Sequence, residues 1–171
     1  MNEIIPMRRE LLFASLAAAL PMALLSRGTA AAPNPAMTII KPPGELVWSK
    51  SPDYPDKSVE RAALWSNISE AGLYYTLIKW HPGYMSAPHW YEEDRYCVVV
   101  SGTWWVASGD KFDPTDTVPA NAGTFIRRVA RTPHYDGVKA DGKEPAIIAI
   151  CGLGPITFHN TDPTTPGWRK V

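Results

Sequence analysis

The sequence predicts an all-β, single-domain barrel, and three observations predict it. Short runs of β-branched and aromatic residues recur between Gly, Pro, Ser and Asp turn signals. No segment beyond residue 32 keeps a long 3.6-residue apolar period. Seventeen prolines in 171 residues weigh against a mostly helical domain.

The elements follow in chain order. Residues 1–32 have the three parts of a secretory signal peptide: Arg8-Arg9, an apolar run from Leu11 to Leu25, and small residues ending in Ala30-Ala31-Ala32. The run is shorter than the about 20 residues of a membrane span. This favours a cleaved signal over a retained N-terminal anchor, and no stable membrane anchor is expected after cleavage. Arg8-Arg9-Glu10-Leu11-Leu12 also resembles a twin-arginine signal. The expected destination is the periplasm. Residues 33–44 are Pro-rich and expected to be extended, and 45–56 to hold a short strand and a loop. Strands are predicted over 58–67, 73–80, 87–91, 95–101, 103–107, 123–129, 134–139 and 146–153. Turns fall at Ser101-Gly102, Ser108-Gly109-Asp110 and Asp141-Gly142. Residues 158–171 are expected to form a C-terminal tail. Many short strands with frequent turns describe a sandwich or a closed barrel.

Composition excludes some functions. Formal net charge is zero, so nothing favours nucleic acid. Seven Trp and seven Tyr suit a small barrel lined with large side chains, or a ligand pocket. An oxidising compartment permits a disulfide between Cys97 and Cys151. Both lie in runs that read as buried strands, which suits free cysteines.

The chemistry gathers in two stretches. In the first, Gly83-Tyr-Met-Ser-Ala-Pro-His89-Trp-Tyr91 leads through Glu92-Glu93-Asp94 to Arg95 and on to Gly102. His89 and Tyr91 are two apart, so on a strand both face the same way. In the second, Gly123 leads to Thr132-Pro133-His134. A barrel can bring His89, Tyr91, Arg95 and His134 together inside one mouth. Imidazole is a frequent metal ligand, and phenolate can be one once deprotonated.

These stretches resemble the two motifs of the cupin superfamily, in particular its small single-domain bacterial members. Gly83, His89 and Gly102 stand in register with the first motif, and Gly123 and His134 with the second. Tyr91 stands where the first motif has its second His, and Arg95 where it has a Glu. Val129, Arg131 and Val138 depart from the second motif. The resemblance covers residues 45–157. It implies a double-stranded β-helix, or jelly-roll barrel, and a divalent transition metal (Fe, Mn, Ni, Zn or Cu) held by His89, His134 and Tyr91. It also implies a small-molecule ligand, a repertoire of oxygenase, isomerase or lyase reactions, and a homodimer.

Arg95 modifies that expectation. A unit positive charge about 5 Å from a divalent ion repels it by about 7 kcal/mol at an effective dielectric near 20. Arg also binds carboxylates in a planar fork. The substitution points to an acidic or enolate-like ligand oriented by Arg95, with Tyr91 and Arg95 as the catalytic candidates. The alternative is an Arg paired with Glu92, Glu93 or Asp94 to hold the hairpin. Two other functions stay open: a non-catalytic module binding or sensing a small ligand, and a metal-free structural barrel. His81 and His159 read as surface residues, and Arg127, Arg128 and Arg131 as a solvated cluster. Trp90 is expected outside the mouth or at a dimer contact, and one of Trp104 and Trp105 inside the mouth.

Overall fold

The computed structural model describes Asn34, residues 36–50 and residues 52–171. The signal-peptide reading of residues 1–32 therefore lies outside the described residues. The chain divides into two units, the first ending at Ile40 and the second, Lys41–Val171, compact. The described part of the first is a turn in which Met37 and Thr38 donate to Asn34 O at 2.9 and 2.8 Å. All described strands belong to the second.

There are twelve: β1 Val59–Trp65, β2 Gly72–Trp80, β3 Tyr84–Ser86, β4 His89–Trp90, β5 Arg95–Ser101, β6 Thr103–Ser108, β7 Val118–Asn121, β8 Phe125–Arg128, β9 His134–Val138, β10 Ala146–Gly154, β11 His159–Asn160 and β12 Trp168–Lys170. They form two antiparallel sheets. The first has the order β1-β2-β10-β5-β8. In the second, β7 pairs with β6 and β6 with β9. The far side of β9 is shared by β4 and β3, which in turn pair with β11 and β12. This is the all-β architecture that the sequence predicts, of the jelly-roll type that the resemblance implies.

Period-two alternation explains the facing. In β5, Arg95, Cys97 and Val99 are buried, whereas Tyr96, Val98 and Val100 are exposed. In β2, Tyr74, Thr76, Ile78 and Trp80 turn inward. The inward residues of both sheets meet in one core that includes Tyr74, Trp80, Val99, Trp104, Val138 and Ile148. β9 is buried along its whole length. His134, Asp136 and Val138 share one face of it, while Tyr135 packs on Phe112 at 5.1 Å on the other.

Two glycines are required by position. Gly102, at φ +71, makes the β5–β6 turn, and a Cβ there would lie 2.5 Å from Pro145 O. Gly152 stands between Tyr74 on β2 and Arg95 on β5, and a Cβ there would meet Tyr74 Oη at 2.6 Å. Its bare backbone lets the Tyr74 ring lie across β10 and reach Arg95.

The sequence reading differs from the structure at the ends. Residues 158–171 are no free tail. β12 pairs with β3, β11 pairs with β4, and Val171 N donates to Gly83 O at 2.9 Å. Each added strand is only two or three residues long, too short to show a period. The Pro-rich lead-in ends in a 3-10 turn at Pro43–Glu45, and 45–56 contributes only a bridge between Ser49 and Arg61. Strand β7 carries Pro119, which tolerates that place because β7 is an edge strand. Cys97 and Cys151 are both free. Cys97 faces inward beside Ile150, and Cys151, next along β10, faces the opposite side.

Candidate metal and ligand site

Pairing of β4 with β9 sets His89 directly opposite His134. Their ring centroids are 4.5 Å apart. Both are buried, at 4% and 3% exposure. Each ring is oriented by its own backbone: Nδ1 of His89 lies 2.8 Å from Ala87 O, and Nδ1 of His134 lies 3.0 Å from Thr132 O. A carbonyl can only accept, so each Nδ1 carries the proton. The lone pair of each Nε2 is left for another partner. Burial is the main reason both imidazoles stay neutral, with the pKa of His89 pushed down to about 4 and that of His134 to about 2.

Asp136 completes the group. It lies two residues beyond His134 on the same face of β9. One ligand atom from each of His89, His134 and Asp136 lies within 4.8 Å of the others. Neutral imidazoles with free Nε2 atoms beside a buried carboxylate fit a divalent transition metal. The carboxylate is itself held in place. Trp104 Nε1 donates to Oδ1 at 3.1 Å, and an Arg128 terminal nitrogen donates to Oδ2 at 3.0 Å. Each oxygen still has a further lone pair.

Sequence reasoning missed Asp136. The signal was available, since a His-x-Asp spacing on a strand puts both side chains on one face. Arg128 differs from its expected place in a solvated cluster. It is 8% exposed and pairs with Asp136, because it lies on the inner face of β8 opposite Arg95. Arg127 and Arg131 do face solvent, paired with Asp94 at 2.6 Å and Glu92 at 3.0 Å.

Tyr91 and Arg95 sit next to the histidines. The Tyr91 ring meets His89 edge-on at 5.2 Å and lies 6.1 Å from His134. The Arg95 guanidinium lies over the Tyr91 ring at 4.2 Å, and its Nε donates to Tyr74 Oη at 3.2 Å. Arg95 forms no ion pair with Glu92, Glu93 or Asp94, of which Glu92 and Asp94 are taken by Arg131 and Arg127. The hairpin-holding alternative therefore has no partner in the structure. Phe158, beyond the expected end of the barrel, stacks on His89 at 4.7 Å.

The other candidates lie at the margins. His81 pairs with Glu60 at 2.9 Å. His159 stacks on Trp90 at 3.9 Å, with Nε2 3.2 Å from Glu92 but too oblique for a hydrogen bond. Of the tryptophan pair, Trp104 is inside, and Trp105 lies under Lys139 at 3.8 Å.

His89, His134, Asp136, Tyr91, Arg95 and Phe158 all open on one cavity of about 530 Å³ between the sheets. Tyr54 Oη donates to Gly167 O at 3.1 Å and Trp168 Nε1 to Asp53 O at 3.1 Å, tying the 52–56 loop to the C-terminal segment.

The fold is of the cupin type. It is similar to the polyketide cyclase RemF from Streptomyces resistomycificus, at 13% identity and TM-score 0.63 over 77% of this chain and 90% of that one. It is similar to an RmlC-like cupin from Ralstonia eutropha, at 18% identity and TM-score 0.56 over 78% and 76% of the two chains. A cupin-2 domain from Rhodospirillum rubrum, Rru_A2000, matches at 15% identity and TM-score 0.54 over 74% and 82%. At these identities the likeness carries the fold alone. The sequence matches no family model and no curated protein.

Proposed function

We propose that the protein holds one divalent transition metal on His89, His134 and Asp136 and acts there on a small anionic organic molecule. The observation that carries this reading is the pair of Nδ1–carbonyl bonds, which leaves the Nε2 lone pairs unused on two imidazoles grouped with a buried carboxylate. A metal in such a place supplies Lewis acidity toward a carbonyl or enolate oxygen. The chain's own residues supply the rest. Arg95 orients the negative end of the bound molecule, and the Tyr91 hydroxyl holds or passes one of its protons. Phe158, stacked on His89, shields that imidazole from bulk water. The reaction belongs to the oxygenase, isomerase or lyase types found among cupins.

Metal analysis of untagged protein tests this reading. The parent is expected to carry about one equivalent, and His89→Ala, His134→Ala and Asp136→Asn to lose most of it. Unchanged content in all three variants would sink it. Tyr91→Phe distinguishes a fourth ligand from an acid or base: the first loses metal affinity, the second loses turnover alone.

A second reading is a non-catalytic binding module. It is favoured by the Arg128–Asp136 pair, which already satisfies the carboxylate that a metal would use. Stoichiometric ligand binding by protein stripped of metal supports it over the first. Export to the periplasm completes the proposal. It rests on residues 1–32, and the intact mass of the exported protein tests it, with a new N-terminus expected between Ala31 and Pro33.

A further inference from the structure

The inner wall of the first sheet carries three arginines: Arg61 on β1, Arg95 on β5 and Arg128 on β8. All three line the cavity. The acids there do not balance them. Asp136 is taken by Arg128 at 3.0 Å. Glu60 is taken by Lys79 at 3.1 Å and His81 at 2.9 Å. Asp53, at the mouth, is exposed and forms no ion pair among the described residues.

Arg61 and Arg95 therefore face the cavity without a carboxylate. Arg95 is 5% exposed; its Nε reaches Tyr74, and its terminal nitrogens form no hydrogen bond among the described residues. Arg61 is half-buried, and its Nε is fully buried with no partner. A desolvated guanidinium with unsatisfied N–H groups is costly unless something fills them. Register sets Arg61 level with Ile78 and Ile148, and Arg95 level with Gly152. The two levels are four residues apart along β10, about 13 Å at 3.3 Å per residue, and the strands three places apart across the sheet, about 14 Å sideways. The two long side chains reach over the same cavity, near enough that the Arg95 charge acts on Arg61. Between them the wall is apolar, made of Ile148 and Ile150. Two planar forks separated by an aliphatic strip match a short carbon chain with a carboxylate at each end.

We propose that the cavity binds a small dicarboxylate, one end on Arg95 and the other on Arg61, and that this dianion and the metal bind with positive coupling. The dicarboxylate site stands on the arginines alone; the coupling rests on the metal reading above. Without the anion, a divalent cation joins two uncompensated positive charges. With it, those charges are neutralised, and by linkage each ligand tightens the other.

Calorimetry on chelator-treated full-length protein tests the site. Succinate and glutarate are expected to bind about tenfold or more tighter than butyrate or succinamide. Arg61→Gln and Arg95→Gln are each expected to lower dicarboxylate affinity about tenfold or more, with little effect on butyrate. Arg61 lies on an edge strand, so its variant is the one expected to fold like the parent, which circular dichroism checks. Equal affinity for succinate and butyrate, or parental behaviour of Arg61→Gln, overturns the dicarboxylate site. Zn²⁺ titration with and without succinate then tests the coupling, with tighter metal binding expected when succinate is present. Zn²⁺ affinity that ignores succinate overturns the coupling. Succinate binding without Zn²⁺ binding in either case overturns the coupling and the metal reading, and supports the dicarboxylate site.

Discussion

Arg95 and Arg128 stand opposite one another in register on β5 and β8, both turned inward, yet only Arg128 has a carboxylate. Like charges directly across a strand pair oppose folding. The structure relieves this pair on one side through Asp136 and on the other through the Tyr91 ring and the Tyr74 hydroxyl. The carboxylate that compensates Arg128 is also a member of the candidate metal site, so charge balance and the proposed metal binding draw on one group.

Arg128→Met should therefore separate the two roles. Removing one partner of a buried ion pair costs about 3–5 kcal/mol. The metal-free variant should melt well below the parent. Zn²⁺ should then stabilise the variant more than it stabilises the parent, because Asp136 is released toward the metal. Scanning calorimetry with and without Zn²⁺ reads both effects. An equal metal-induced shift in the two proteins would show that Asp136 is not shared.

Stability should fall in mild acid. His89 and His134 have pKa values depressed in the fold, to about 4 and about 2, from an unfolded value near 6.5. The unfolded chain thus binds more protons below pH 6.5, and stability drops as pH falls from there through the folded values. It is fully present above that window. Denaturant midpoints of the metal-free protein from pH 7.5 to 4.5 measure the slope, and the double variant His89→Asn, His134→Asn should flatten it. An equally steep slope in that variant would assign the acid sensitivity to other groups.

Gly152→Ala should act through Tyr74. The new methyl would lie 2.6 Å from Tyr74 Oη, so the ring must move and Arg95 loses its hydrogen bond. Overpacking of this kind costs about 1–3 kcal/mol. Urea denaturation gives the cost. Adding Tyr74→Phe to Gly152→Ala should cost little more, since the hydroxyl contact is already gone, whereas additive losses would contradict the mechanism.

The outer face of the first sheet predicts self-association. Trp65, Tyr96 and Phe125 are 56%, 46% and 61% exposed there, beside Leu73 and Val98. An apolar face of this kind marks an interaction surface. A two-fold pairing with a second copy is the simplest way to cover it. Sedimentation at micromolar concentration should give a dimer for the parent and a monomer for Phe125→Glu with Tyr96→Glu. A monomeric parent would refute the homodimer.

The sequence by itself determined the all-β class, the main strands of the first sheet and the choice of His89 and His134 as candidates for one site. β5, for instance, runs over Arg95–Ser101, where alternation and the flanking turns predict it. Such features are local: a period of two says which residues share a face, and a Gly or Pro says where a strand must stop. Only the tertiary structure decided which strands lie opposite. It turned Arg128 inward onto Asp136, set Arg61 on the same wall as Arg95, and carried Phe158 from the C-terminal segment onto His89. Those relations depend on register between strands far apart in the chain. A slip of one residue would turn each of these side chains to the other face. The pattern within a single strand contains no record of its neighbour.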